Sequence, residues 1–316
     1  MKINNLVFSG GNIKALVYIG CLEALEEYNL LKDIKTIAGT SAGGIFGLLI
    51  NLGYTSKELK NLSYGLDFSI FKDITTETIL AFITNYGIDT GNKLLKLIRI
   101  LIKKKVKNPD ITFQELFDKT KKKLILTGTC LTKNKVEYFS YKTFPNMKII
   151  DAIRITFSIP LIYNKVEYEK NMYIDGAIMD NYPIQIFKQY KENTLGFVIN
   201  TSSCSVGIND ITGYIKSILS CINCRLKHYQ QIGFEEQTIE LNINIKNIDF
   251  NLTSKTKEKL LDYGYAETKK YINKKNENKE PSNTFDKEKE NLNSKDTYNL
   301  ENEIEMLLDD LENGNF

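Results

Sequence analysis

The 316-residue chain contains a single histidine, His228, and no tryptophan. One imidazole excludes any zinc site built on two or more histidines. Cysteine is sparse and odd in number, at Cys21, Cys130, Cys204, Cys221 and Cys224. Without regular spacing these do not form a secreted disulfide framework. Cys221 and Cys224 make a lone Cys-x-x-Cys with no second pair beside it, which reads as buried or incidental thiols. An excess of either charge is also missing: 42 basic against 39 acidic residues leave +3. That gives no overall field for gripping nucleic acid. No apolar run approaches the roughly 18–20 residues that cross a bilayer; the greasiest, residues 45–50, is short. Met1 runs almost directly into Leu6-Val7-Phe8 with no signal-peptide pattern. The expectation is an intracellular, cytoplasmic chain without a transmembrane helix.

What is present suits a globular protein. The composition is 42% hydrophobic and 26% charged, enough for a sizeable core. The length allows one large domain with a tail, or two modest ones. Leu6-Val7-Phe8 reads as a buried strand, Ser9-Gly10-Gly11-Asn12 as a glycine-rich turn, and Ile13 to about Tyr28 as a helix. The pattern then repeats: strand Thr36-Ile37-Ala38, turn Gly39-Thr40-Ser41-Ala42-Gly43, and a helix from Gly44 to Leu52 apolar on nearly every side. Strand–turn–helix occurring twice is the mark of a parallel α/β sheet. Strands are expected at 124–129, 136–139, 170–174 and 195–199, the last read as the final inner strand. A short helix is expected over 149–156. Beyond about Lys274 the chain is polar, with Pro281 and Ser282, and is expected to be a disordered tail carrying a short acidic helix near 300–311.

Chemistry concentrates in the turns. Gly39-x-Ser41-x-Gly43 fits a nucleophile elbow, whose small flanking residues let a strained turn close under the serine. The helix that follows offers its positive end to a developing oxyanion. Gly10 and Gly11, after a strand and before a helix, leave backbone N–H groups for an anion. The loop completes neither nucleotide-binding glycine motif, so beside a serine elbow it reads better as an oxyanion hole. Lys14 either adds positive charge there or is a solvated lysine on the first helical turn. The order Ser41, Asp175, His228 formally allows a triad. His228, however, lies in a polar helical stretch and the elbow follows only the second strand, so a carboxylate is the expected base. Asp175, at the end of an apolar strand and ahead of Gly176, is the best carboxylate.

Four segments in order then carry a resemblance: Ser9–Leu16, Ile37–Gly43, Ala152–Pro160, and Asp175-Gly176-Ala177 with Asn181-Tyr182-Pro183. Together they resemble the patatin-like phospholipases over about residues 4–200. The resemblance implies an α/β fold, a three-layer α/β/α architecture with a mainly parallel central sheet. Residues 4–200 would form the catalytic core, 201–273 its helical and strand-bearing C-terminal part, and 274–316 the tail. It also implies a Ser41–Asp175 dyad without histidine, with an oxyanion hole from Gly10, Gly11 and Asn12 and with Lys14 as its basic residue. No metal and no cofactor is expected. The substrate would be a phospholipid or another glycerolipid, with no nucleic acid partner. Asn12 and Ala15 stand where the family usually has glycine; asparagine still offers an N–H and tolerates positive φ. Acyl transfer by the same dyad, and a catalytically silent lipid-binding protein, are the rival functions. Residues 93–107 alternate Lys96, Arg99 and Lys103 with Leu94, Ile98 and Leu101 on opposite helix sides. This fits peripheral membrane contact or a core-packed helix.

Overall fold

The computed structural model describes residues 1–200, 211–243 and 252–277. The chain opens with β1 (Asn5–Phe8), a 3-10 turn over Asn12–Leu16, and α1 (Val17–Glu27). Next come β2 (Thr36–Gly39) and α2 (Ala42–Asn51). A helical excursion follows: α3 (Ser56–Gly65), a 3-10 turn over Phe68–Phe71, the short α4 (Thr76–Leu80) and α5 (Phe82–Asn85), strand β3 (Gly87–Asp89), α6 (Asn92–Val106) and α7 (Phe113–Thr120). The chain then forms β4 (Lys123–Cys130), β5 (Lys135–Phe139), α8 (Ile149–Thr156), β6 (Leu161–Tyr163), β7 (Val166–Tyr168) and β8 (Asn171–Asp175). A 3-10 stretch over Pro183–Asn193 leads to β9 (Thr194–Asn200), α9 (Ile211–Gln231), β10 (Thr238–Asn242) and α10 (Ser254–Glu277).

The main sheet has the order β10-β9-β1-β2-β4-β8-β7, with β5 also on β4. From β10 to β4 all pairings are parallel, while β5 and β8 meet β4 antiparallel. Parallel strands need cover on both faces, which is why Leu6-Val7-Phe8 of β1 is an unbroken apolar run and the whole strand is buried. Alternation sorts its side chains into two cores. Leu6 and Phe8 join Ile37, Leu126 and Phe197 on the face covered by α1, α2 and α10. Val7, Ala38, Ile125 and Val198 face the other way, under Tyr182, Ile184 and Phe187 of the 3-10 stretch and Phe234.

The register of β4 places the site. β2 pairs with its first half, Gly39 opposite Leu126, and β8 with its second half, Asp175 opposite Gly128. β5 runs alongside Leu126–Cys130 and takes the other edge. The ends of β2 and β8 therefore meet head-on along a single edge of β4.

Most expected elements fall where the sequence places them, within a residue or two. β10 continues the sheet beyond β9, leaving β9 an inner strand. α10 runs past Lys274 to Glu277, into the stretch expected to be tail. The remainder of that tail, its acidic segment and Cys204 lie outside the described residues. Cys21 and Cys130 are buried, whereas Cys221 and Cys224 are exposed on α9. No described helix is long and apolar enough to cross a membrane.

Candidate active site

Between β2 and α2 the chain reverses through Thr40 and Ser41. Ser41 takes φ 53°, ψ −128°, the first central position of a II′ turn, where glycine is the usual occupant. Such a backbone costs about 1–3 kcal/mol and persists only where the surroundings over-determine it. Here they do. The Ser41 N–H donates to Thr156 Oγ1 at 2.9 Å, and the Thr40 N–H donates to the Phe8 carbonyl at 3.2 Å. Thr40 Oγ1 donates to the Asp180 carbonyl at 2.9 Å and accepts from Thr127 Oγ1 at 2.7 Å. Gly39 and Gly43 face each other across the turn. A Cβ on Gly43 would collide with the carbonyls of Phe8 and Ser9, so α2 starts directly against the glycine-rich loop.

Asp175 ends β8 with both main-chain groups engaged. Its N–H donates to the Ser158 carbonyl at 2.8 Å, and its carbonyl accepts from Thr129 Oγ1 at 2.9 Å. Gly176 then packs on Thr127, leaving no room for a side chain. The carboxylate is 2% exposed. Oδ1 accepts the Ala177 N–H at 2.8 Å, and Oδ2 accepts the Ser41 hydroxyl at 2.8 Å. Burial drives its pKa up to about 7, against the opposing pull of those two hydrogen bonds.

The glycine-rich loop sits beside this pair: a Cβ on Gly10 would lie 3.2 Å from the Ser41 Cβ. Its anchors are buried. The Ile199 N–H donates to Ser9 Oγ at 3.0 Å, and the Tyr18 hydroxyl donates to the Ser9 carbonyl at 2.8 Å. The Gly10 N–H donates to the Asn181 carbonyl at 3.1 Å. In this conformation the Gly10 N–H, which was expected to join an oxyanion hole, is engaged by Asn181. The N–H groups of Gly11 and Asn12 have no acceptor among the described residues. Asn12 adopts φ 53°, with its Oδ1 accepting the Ile13 N–H at 2.8 Å. Asparagine tolerates this left-handed backbone through such a local bond, which is how it replaces a glycine. Lys14 is half-buried on the 3-10 turn behind, and Asn12 and Ile13 line the pocket while Lys14 does not.

Ser41 and Asn12 open into an apolar pocket. Its walls include Leu16 and Ile19 of the first helical segment, Phe46 and Leu49 of α2, and Leu94 and Leu101 of α6; no charged residue lines it. The apolar face of α6 is therefore turned inward, with Leu97, Ile98, Leu101 and Ile102 buried. Of the two readings of residues 93–107, the core-packed helix holds. His228 lies exposed on α9 against the Tyr229 ring and has no place among the pocket's walls. Sequence reasoning missed Thr156, Asn181 and Tyr18, which hold the elbow and loop through space. Two of them fall inside motif segments, but nothing local announces their partners.

Comparison with known proteins bears on the family and the fold. The sequence model of the patatin-like phospholipases matches residues 6–188. An uncharacterized protein of Acanthamoeba polyphaga mimivirus is 29% identical over 284 residues, covering 86% of this chain and 94% of that protein. A probable lipid hydrolase of Invertebrate iridescent virus 6 is 31% identical over 193 residues, covering 58% of this chain and 63% of the viral one. Among solved structures, VipD from Legionella pneumophila superposes with a TM-score of 0.63 at 16% identity, over 87% of this chain and 67% of VipD. At that identity the likeness concerns the fold. With the family match covering more than half of the sequence, and the elbow, loop and Asp-Gly-Ala segment converging on one sheet edge, the chain belongs to the patatin-like phospholipase family.

Proposed function

We propose that this protein is a lipid acyl hydrolase, a phospholipase A-type esterase in which Ser41 is the nucleophile and Asp175 its general base. The observation that carries this reading is the 2.8 Å hydrogen bond from the Ser41 hydroxyl to Asp175 Oδ2. A serine in bond contact with a buried carboxylate has a proton acceptor without a histidine relay. A carboxyl pKa of about 7 makes Asp175 a better acceptor at neutral pH than an ordinary aspartate. Ser41 Oγ attacks the ester carbonyl as Asp175 takes its proton. The oxyanion forms against the N–H groups of Gly11 and Asn12, near the positive end of α2. On collapse the proton passes from Asp175 to the departing alcohol. Water, activated by the same carboxylate, then releases the acyl group and restores Ser41. No step calls on a metal or an organic cofactor.

The pocket supports a lipid acyl chain as the group transferred, because its walls are apolar and uncharged. The printed name of the iridescent virus relative points the same way. The test is product analysis with a diacyl phospholipid in mixed micelles. Free fatty acid should appear with the wild type and fall on the order of a thousandfold with Ser41→Ala. Equal release by that variant would overturn the reading. Acyl ester formed in preference to fatty acid, when an alcohol acceptor is added, would turn it to acyl transfer.

A further inference from the structure

We infer that residues 74–86 form the surface on which this protein seats itself against a lipid layer, beside the mouth of the acyl pocket. The inference rests on the acyl-hydrolase reading only for what the pocket takes. Neither α4 nor α5 buries a single residue. Instead Ile79 is 55% exposed, Leu80 78%, Ile83 81% and Tyr86 52%, with Ile74 and Phe82 also open to solvent. Glu77 is the one charged residue between Ile74 and Ile88. Isolated exposed apolar residues are ordinary, but a contiguous group on two adjoining short helices is a binding surface.

The chain path connects this surface to the pocket. Phe71 lines the pocket just before the segment begins, and Leu94 lines it just after the segment ends. β3, which closes the segment, pairs with β6, whose Tyr163 is also a pocket wall. The pocket that the flanking residues line is apolar and uncharged, so a lipid layer is the occupant whose chains match both the surface and the pocket. The rim has the chemistry of an interface with head groups. Lys93 Nζ donates to the Lys72 carbonyl at 3.1 Å, placing those two residues together, and Lys165 Nζ stands 4.5 Å from the centre of the Tyr86 ring. An aromatic edge and lysines around an apolar centre suit the boundary between head groups and chains. Asp73 and Glu77 offset part of the basic charge, so zwitterionic and anionic layers should both be bound, anionic ones more tightly.

The experiment uses the full chain with vesicles of phosphatidylcholine, alone or with one-fifth phosphatidylserine, and the double variant Leu80→Asp/Ile83→Asp. Both side chains are exposed and neither lines the pocket, so the fold should persist, as an unchanged thermal melt would show. The expected result is a drop of at least about tenfold in vesicle cosedimentation and in hydrolysis of vesicle phospholipid. Cleavage of a water-soluble short-chain ester should stay within about twofold. Unchanged vesicle binding would overturn the inference. So would a wild-type dimer that the double variant converts to monomer, since the patch would then belong to a second copy. A wild type that binds vesicles through these residues yet cleaves no ester would sink the hydrolase reading and leave the surface standing.

Discussion

Ser41 occupies backbone space that favours glycine, so strain and chemistry can be separated at one position. At an ordinary site glycine is less stable than alanine by roughly 0.5–1 kcal/mol. At φ 53° the order should invert. Ser41→Gly is expected to melt above Ser41→Ala although the proposed mechanism makes both inactive; the reverse order in denaturant titration would mean the turn is unstrained. In the proposed mechanism Asp175 is the base and sets the pH response. The base works when ionised, so kcat/KM on a soluble ester should fall about tenfold per pH unit below about pH 7 and level off above it. Asp180, buried nearby and raised to about 6, is the neighbour that could mimic this limb, and Asp180→Asn should leave it in place. Stability runs the other way. The folded carboxyl of Asp175 holds its proton to about 7 while the unfolded one loses it near 4, so its contribution is complete below pH 4 and lost by pH 7. Asp175→Asn should therefore gain in melting temperature, relative to wild type, between pH 5 and pH 8. The turns that carry Ser41 and Asp175 were legible because turn chemistry is local. The use of the Gly10 N–H was not, because Asn181, which accepts it, is far away in the sequence.

At the scale of elements, Ser41 meets Asp175 because β2 and β8 end against each other on β4. The strand patterns of Thr36–Ala38 and Lys170–Ile174, each with a turn behind it, announced both strands, but register across β4 is a long-range property that neither segment encodes alone. β3, β6 and β7 escaped the sequence reading for a simpler reason: each is only three residues long, too short to show a period. The 93–107 helix shows the opposite limit, since an amphipathic pattern gives the same sequence whether its partner is core or membrane. With Leu94 in the pocket wall, Leu94→Trp should shorten the accepted chain. The ratio of kcat/KM for a long-chain over a short-chain ester should fall about tenfold or more, as overfilling an apolar site does. An unchanged ratio would place the acyl chain elsewhere. Charge reversal at Lys103 and Lys104 should leave vesicle binding intact, because that helix meets the protein interior.

Taken whole, the molecule is a parallel sheet with a core on each face and its chemistry gathered at one strand edge. Motif order along the first 200 residues made that architecture legible from sequence, whereas the exposed apolar segment at 74–86 emerged only from burial. Among the described residues no group of three or more His, Cys, Asp or Glu is placed to hold a metal ion. The proposed mechanism holds the oxyanion with backbone N–H groups, so excess chelator should leave hydrolysis of a soluble ester unchanged, and a calcium-reversible loss would contradict that. The most direct test of the central claim is labelling by a fluorophosphonate probe, read by intact mass and peptide mapping. The account predicts a single adduct on Ser41 in the wild type, much slower labelling of Asp175→Asn, and none on Ser41→Ala. A wild type that stays unlabelled, or a Ser41→Ala variant labelled as fast as wild type, would contradict it.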